Sequence, residues 1–414
     1  MMNKLCTLFT IACLLLLCGC PPPAGKSGGT NTGNGGAGTT QTSGNTEQQL
    51  ARAHGQDVVL IASDLGLGDG WRVRQMHSLL SSLAAGSEIE YRLIGDLPRE
   101  IEFGEVTADV GFPDPESDLP GSMTDLEGAA LLDDVASCDW LLLSSGYLLE
   151  PALQRITAGS LQAGAVLVMD EAGSQHVVNA SNVPVLRIRF DICHAAFMAG
   201  AAAANSSNVA HFLLLGAEDD PQVDEFMSAA EAGMKYVSPS SWIKQAVLPV
   251  DSRGMVTPQT FRQEHVRLLN EAGENFNSSH YILDLTRSNA YVTSLIAERN
   301  GPLNGYISGG FEDLRVLGDS RVLTFGLKRP EVALGWLLQH CPDAAALQGE
   351  ADADGVIMFG LKGSRPGLEE SALGYTPLEL YIRYNPDGPE IAQELERIWK
   401  EVEAGELGIN YCGH

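Results

Sequence analysis

Apolar positions along this chain alternate between short continuous runs and helical stripes. Asp57–Ser63, Tyr91–Ile94, Asp139–Ser144, Val166–Asp170 and Val183–Phe190 are runs rich in Val, Leu and Ile. That is the pattern of strands buried on both faces. Between the first two, Trp71–Ala84 places Val73, Met76, Leu79, Leu80 and Leu83 on one side, which predicts a helix. After Phe190 the alternation resumes. Ala195–Ala204 is almost all small residues around Phe197 and Met198, a helix thin enough to lie close against a sheet. Ala210–Leu215 is a strand, and Val223–Lys235 repeats apolar side chains at Val223, Phe226, Ala230 and Met234, which is helical spacing. Further strands are predicted at Trp242–Pro249, His280–Asp284, Gly305–Gly309, Arg321–Lys328 and Asp354–Leu361. Helices are predicted at Thr257–Gly273, Asn289–Arg299, Pro330–His340 and Pro389–Glu403. The last of these carries Ile391, Leu395, Ile398 and Val402 on one face, and Pro330 suits a first helical position. Strand and helix in alternation imply α/β structure with parallel sheets and right-handed crossovers. At 414 residues the chain exceeds one small core and suits two lobes.

The N-terminal segment follows another logic. Lys4 is a positive n-region, Leu5–Leu17 an apolar h-region too short to span a bilayer, and Leu17-Cys18-Gly19-Cys20 reads as a lipobox with the lipid on Cys20. Several acyl chains on one residue anchor stably where one would not. Pro21 to about Gln49 is Gly, Thr, Asn, Ser and Pro, a tether whose mean span is on the order of 25–30 Å. No later segment is apolar for long enough to cross a membrane.

Net charge is −27, from 53 acids against 26 bases, which argues against a nucleic-acid partner. Arg99–Ser137 is acidic and holds prolines, and no Lys or Arg occurs from Glu100 to Gln154, as in a solvated flap. Four cysteines follow Cys20: Cys138, Cys193, Cys341 and Cys412. They allow three disulfide pairings in an exported protein, and Cys193, in apolar surroundings, equally suits a buried free thiol. Their separation gives no metal-ligand spacing, so neither metal nor cofactor is expected. H-E-x-x-H and P-loop motifs are missing from the sequence, and the G-x-S-x-G spacing occurs only at Gly25–Gly29 inside the tether, without a strand and helix around it, which points away from catalysis. The loop Asp64-Leu65-Gly66-Leu67-Gly68-Asp69-Gly70 puts Trp71 where a dinucleotide fingerprint needs its third glycine, so that reading fails. What remains is a loop at the carboxyl end of a strand, where open α/β sheets hold ligands. Arg72 and Arg74 beside it are a possible carboxylate or phosphate site.

The stretch Phe190–Pro239 also resembles a known family. Phe190, Ala195, Ala196, Phe197, Met198, Ala199, Gly200, Ala203, Ala204, then Gly216, then Gly233, Lys235, Tyr236 and Val237 follow the core pattern of the basic membrane protein family. These are purine-nucleoside-binding lipoproteins that feed ABC-type importers. The resemblance extends over Asp57–Ile409 and includes Ser145-Gly146-Tyr147 and the run Arg321–Lys328. It implies an α/β fold of two Rossmann-like lobes, the type I periplasmic-binding-protein or Venus-flytrap architecture. It also implies an ABC permease as partner, a place in the cell envelope held by lipid, and a small-molecule ligand between the lobes. The domain plan it implies is a signal peptide over 1–19, a tether over 20–54, a first lobe over 55–189 and a second over 190–329. Segments near 330–350 and 388–409 return to the first lobe, and 351–387 joins the second.

Ligand residues carried over by position are Asp64, Asp69, Tyr147 and Lys328; Trp71, Arg74, Phe311 and Glu312 stand beside them as further candidates. The first loop departs from the family's T-D-x-G-x-x-D-D-x-S-F-N. It has Gly70 for the second Asp, Arg72 for Ser, Val73 for Phe and Arg74 for Asn. Where the family has a ribose-binding Asp, this chain has Gly309-Gly310-Phe311-Glu312. Two readings stay open: a binding protein for a nucleoside-like or other polar solute, possible anions included, or a receptor-like lipoprotein that has lost nucleoside binding.

Overall fold

The computed structural model describes residues 55–62, 69–95, 130–144, 146–169, 183–206, 211–218, 222–250, 256, 258–272, 280–285, 303–311, 322–375, 387–407 and 411. All lie in the compact unit Asn45–His414. The chain opens with β1 (Gln56–Ile61), α1 (Asp69–Ala85), β2 (Ile89–Ile94), β3 (Ser137–Leu143), α2 (Leu149–Ala158), β4 (Gln162–Met169) and β5 (Val185–Phe190). It continues with α3 (Cys193–Ser206), β6 (His211–Ala217), α4 (Val223–Val237), β7 (Trp242–Leu248), α5 (Pro258–Ala272), β8 (His280–Leu285), β9 (Leu303–Phe311) and β10 (Val322–Lys328). It closes with α6 (Pro330–His340), α7 (Ala344–Glu350), β11 (Val356–Phe359), β12 (Leu373–Tyr375) and α8 (Gly388–Ala404). The expected helix over Asn289–Arg299 lies outside the described residues, as do the leader, the tether and Cys20.

These strands form two six-stranded sheets, ordered β11-β5-β4-β3-β1-β2 and β12-β10-β9-β8-β6-β7. The first is parallel throughout; in the second only β12 runs antiparallel, against β10. The two orders are the same pattern, second strand outside first and then third, fourth and fifth on the other side. This is an α/β fold of two Rossmann-like lobes. In the first sheet Val58, Leu60, Trp140, Leu142, Leu167 and Ile188 fill one face, while Val59, Ile61, Leu141, Leu143, Val166 and Val168 fill the other. Burial on both faces is why these strands read as continuous apolar runs.

The small residues of α3 serve a purpose the sequence did not indicate. A Cβ on Gly200 would stand 2.0 Å from Ala230 O, and one on Gly233 2.0 Å from Phe197 O, so α3 and α4 meet backbone to backbone. The closest approach of the thin helix is thus to a helix, while it also packs on β8, β9, β10, β12 and α8. The core that contains α3 is continuous, taking in Val58 and Leu60 from the first sheet and Phe212 and Leu214 from the second.

Two return segments fall otherwise than the sequence suggests. Val356–Phe359, expected with the second lobe, pairs with β5 in the first sheet, so 351–387 is divided between the two. Helix α8, expected with the first lobe, packs on α3 and meets the second lobe through Tyr236 and Tyr375. By contrast α6, which leaves β10, packs on α1 beside the first sheet. The sequence pattern also missed α2, α7 and β12, which are ten, seven and three residues long and too short for a clear period.

Candidate functional site

An open parallel sheet offers a crevice where neighbouring strands send their connections to opposite sides. The strand orders put one such point between β1 and β3 and a second between β6 and β8. The sequence candidates gather at strand ends. Asp69, Trp71 and Arg74 lie in the first turns of α1, which follows β1, and Tyr147 lies in the short 3-10 turn Gly146–Leu148 that follows β3. Arg74 is half-buried and has partners; the side chains of Asp69, Trp71 and Tyr147, and all of Asp64, are outside the described residues. Phe311 ends β9 and Lys328 ends β10, adjacent strands of the second sheet; the side chain of Phe311 and the whole of Glu312 are again outside the description.

Lys328 is fully buried, as is Asp284 near the end of β8, a carboxylate the sequence reading passed over as part of an apolar strand. Both have partners. A buried charge persists only when paired or hydrogen-bonded, so these two groups are polar positions held inside the second sheet near strand ends. The position of Lys328 is held by its neighbour. Arg329 donates its backbone N–H to Ala372 O at 2.8 Å and forms ion pairs with Glu331 at 3.1 Å and Glu370 at 3.0 Å. Those contacts and the pairing of Lys328 with Leu373 fix the end of β10 against β12.

A second polar cluster sits where the chain leaves β5. Donor atoms of Asp191, Cys193 and His194 all lie within 4.8 Å of one another. His194 Nδ1 meets the Tyr411 hydroxyl at 2.8 Å, and the Tyr411 ring stacks on Phe197 at 4.3 Å between centroids. Burial, then the charge of Asp191, pushes the Tyr411 phenol up to about 12. Cys193 is disulfide-bonded, its partner outside the described residues, so its sulfur is not a thiolate ligand. Cys138 and Cys341 are free and buried. The free-thiol alternative for Cys193 is therefore set aside, and a pairing of Cys138 with Cys341 is excluded.

No protein-family model matches the sequence, and no curated protein does. Among solved structures, the chain is similar to an ABC transporter system solute-binding protein from Conexibacter woesei DSM 14684. Identity is 12%, the TM-score is 0.48, and the match covers 87% of this chain and 99% of that one. A transcriptional activator of the comK gene from Bacillus halodurans is similar at 12% identity and TM-score 0.49, over 85% and 100% of the two chains. A solute-binding protein from Aeropyrum pernix K1 follows at 13% identity and TM-score 0.47, over 85% and 92%. What defines the architecture is the strand order. Among the described residues, no helix is long and apolar enough to cross a membrane.

Proposed function

We propose that this chain is a lipid-anchored, extracytoplasmic solute-binding protein of an ABC importer, with type I periplasmic-binding architecture of the basic membrane protein kind. It takes a nucleoside-like or other small polar solute between its lobes and passes it to a permease. The observation that carries this reading is the repeated strand order, which gives each lobe a sheet rim of the kind at which open α/β sheets hold ligands. The buried Asp284 and Lys328 support it, being polar groups at the strand ends where ribose or other hydroxyls would need partners. The mechanism is binding followed by hinge closure, with no covalent step. A receptor-like lipoprotein on the same fold is the second reading, favoured by Gly309-Gly310 in place of a ribose-binding Asp and by the altered loop at Gly70 and Arg72.

Thermal-shift screening of the full chain in detergent against nucleosides, sugars, amino acids and organic anions separates the two. The importer reading expects a shift with a nucleoside or other polar solute, abolished by Lys328→Met, a change of similar length that leaves the core filled. Silence across the panel favours the receptor, and turnover of any compound would instead indicate an enzyme.

A further inference from the structure

Strand β5 carries two arginines, Arg187 and Arg189, in a chain of net charge −27. Strand alternation puts both on the same face of the first sheet. It is the face of Val166 and Val168, because Val168 is level with Arg187 and Val166 with Val185. Arg187 lies inside the ladder, between Val168 and Val356, and is 6% exposed. Arg189 stands one residue beyond the last β4–β5 pair, Met169 with Ile188, and among the described residues its strand neighbour is Met358 of β11. It is therefore at the carboxyl rim of the sheet.

The two arginines differ in company. Arg187 has partners. Arg189 makes no hydrogen bond or ion pair among the described residues, and its Nε is buried without an acceptor. Elsewhere arginines take the acids close to them, Arg155 on Asp133 at 2.7 Å, Arg365 on Glu350 at 2.8 Å and Arg92 on Asp57 at 2.7 Å. A half-buried guanidinium without an acceptor among the described residues is costly, because a buried donor gives up its hydration, and a charged one gives up more. Such a group calls for an acceptor, and the described residues provide none.

We propose that Arg189 anchors a carboxylate of the bound solute, an inference that rests on the solute-binding reading. The guanidinium fork matches a carboxylate in a paired arrangement of two N–H donors. One guanidinium balances one negative charge. A phosphate dianion would leave an excess charge in a protein whose whole field repels anions. The sheet rim is where an open α/β sheet holds its ligand.

The test uses the full chain in detergent and probes matched except for charge: an amino acid and its amide, a sugar and its uronate, a nucleoside and its 5′-carboxylate, with inorganic phosphate alongside. Binding is read by calorimetry and thermal shift. At least one acid should bind about tenfold or more tightly than its uncharged partner, the gain expected from a charge-assisted pair. That preference should vanish in Arg189→Gln and persist in part in Arg189→Lys. Without ligand, Arg189→Gln should melt no lower than the parent, because a half-buried charge with no partner among the described residues has been removed. Equal binding of acids and neutral partners would overturn the inference while leaving solute binding intact. So would binding of phosphate alone, acid binding unchanged in Arg189→Gln, or a clearly lower melting temperature for that variant. Failure of every probe to bind would remove the solute-binding reading and this inference together.

Discussion

His265 on α5 shows how burial sets a property of a single residue. Desolvation lowers its pKa from the ordinary 6.5 to about 4, so the folded protein holds it neutral well below the pH at which the unfolded chain takes up a proton. Stability contributed by this residue is present above pH 6.5 and is lost as pH falls from there toward 4. At about 1.36 kcal/mol per pKa unit, the full loss is about 3 kcal/mol. Replacing His265 by Gln should flatten the decline of denaturant stability between pH 7 and pH 4; profiles that stay parallel would count against it. At this scale the sequence was partly legible. Lys328 was singled out because its motif gave it a place, and it is buried; Asp284 and Arg189 were not singled out, because a charge inside an apolar strand looks like any strand residue until its burial is seen.

Among the elements, the α3–α4 contact depends on two hydrogen atoms where other residues carry a methyl. Gly200→Ala or Gly233→Ala would drive a Cβ into backbone of the facing helix at 2.0 Å, and neither helix can yield without moving its sheet contacts. Each change should destabilise the protein by about 3 kcal/mol or more, at the upper end of overpacking costs, as read by chemical denaturation. Gly335→Ala on α6, whose nearest neighbour would be the flexible Leu79 side chain at 3.8 Å, serves as the control and should have little effect. Both glycines appeared in the sequence as members of a motif. Their reciprocal packing was not visible there, because spacing within one helix says nothing about which helix faces it. Among the described residues the longer strands and helices were legible for the opposite reason: burial on two faces or one writes itself into local periodicity.

For the whole molecule, the consequence of a shared core is cooperativity. Apolar side chains of the first sheet, such as Val58 and Leu60, belong to the same continuous cluster as Phe212 and Leu214 of the second. Calorimetry of the full chain should therefore show one unfolding transition for the two sheets, with calorimetric and van't Hoff enthalpies agreeing. Two resolved transitions would mean that each half is held chiefly by itself. The paired sheets were foreseeable from the alternation of elements, whereas the allocation of β11 and α8 was not. Late segments cross between halves, and nothing in a short apolar run states which sheet it joins.

The outermost strands decide how the protein behaves when crowded. Among the described residues the edge strands β11 and β12 are four and three residues long, which gives a neighbouring molecule little backbone to zip onto. The longer β7 carries Lys244, a charge that a foreign strand would have to lie against, although Trp242 beside it is 51% exposed. Concentrated solutions should thus stay free of intermolecular ribbons until something uncovers the interior, and Trp242 is the place where unwanted stickiness would begin.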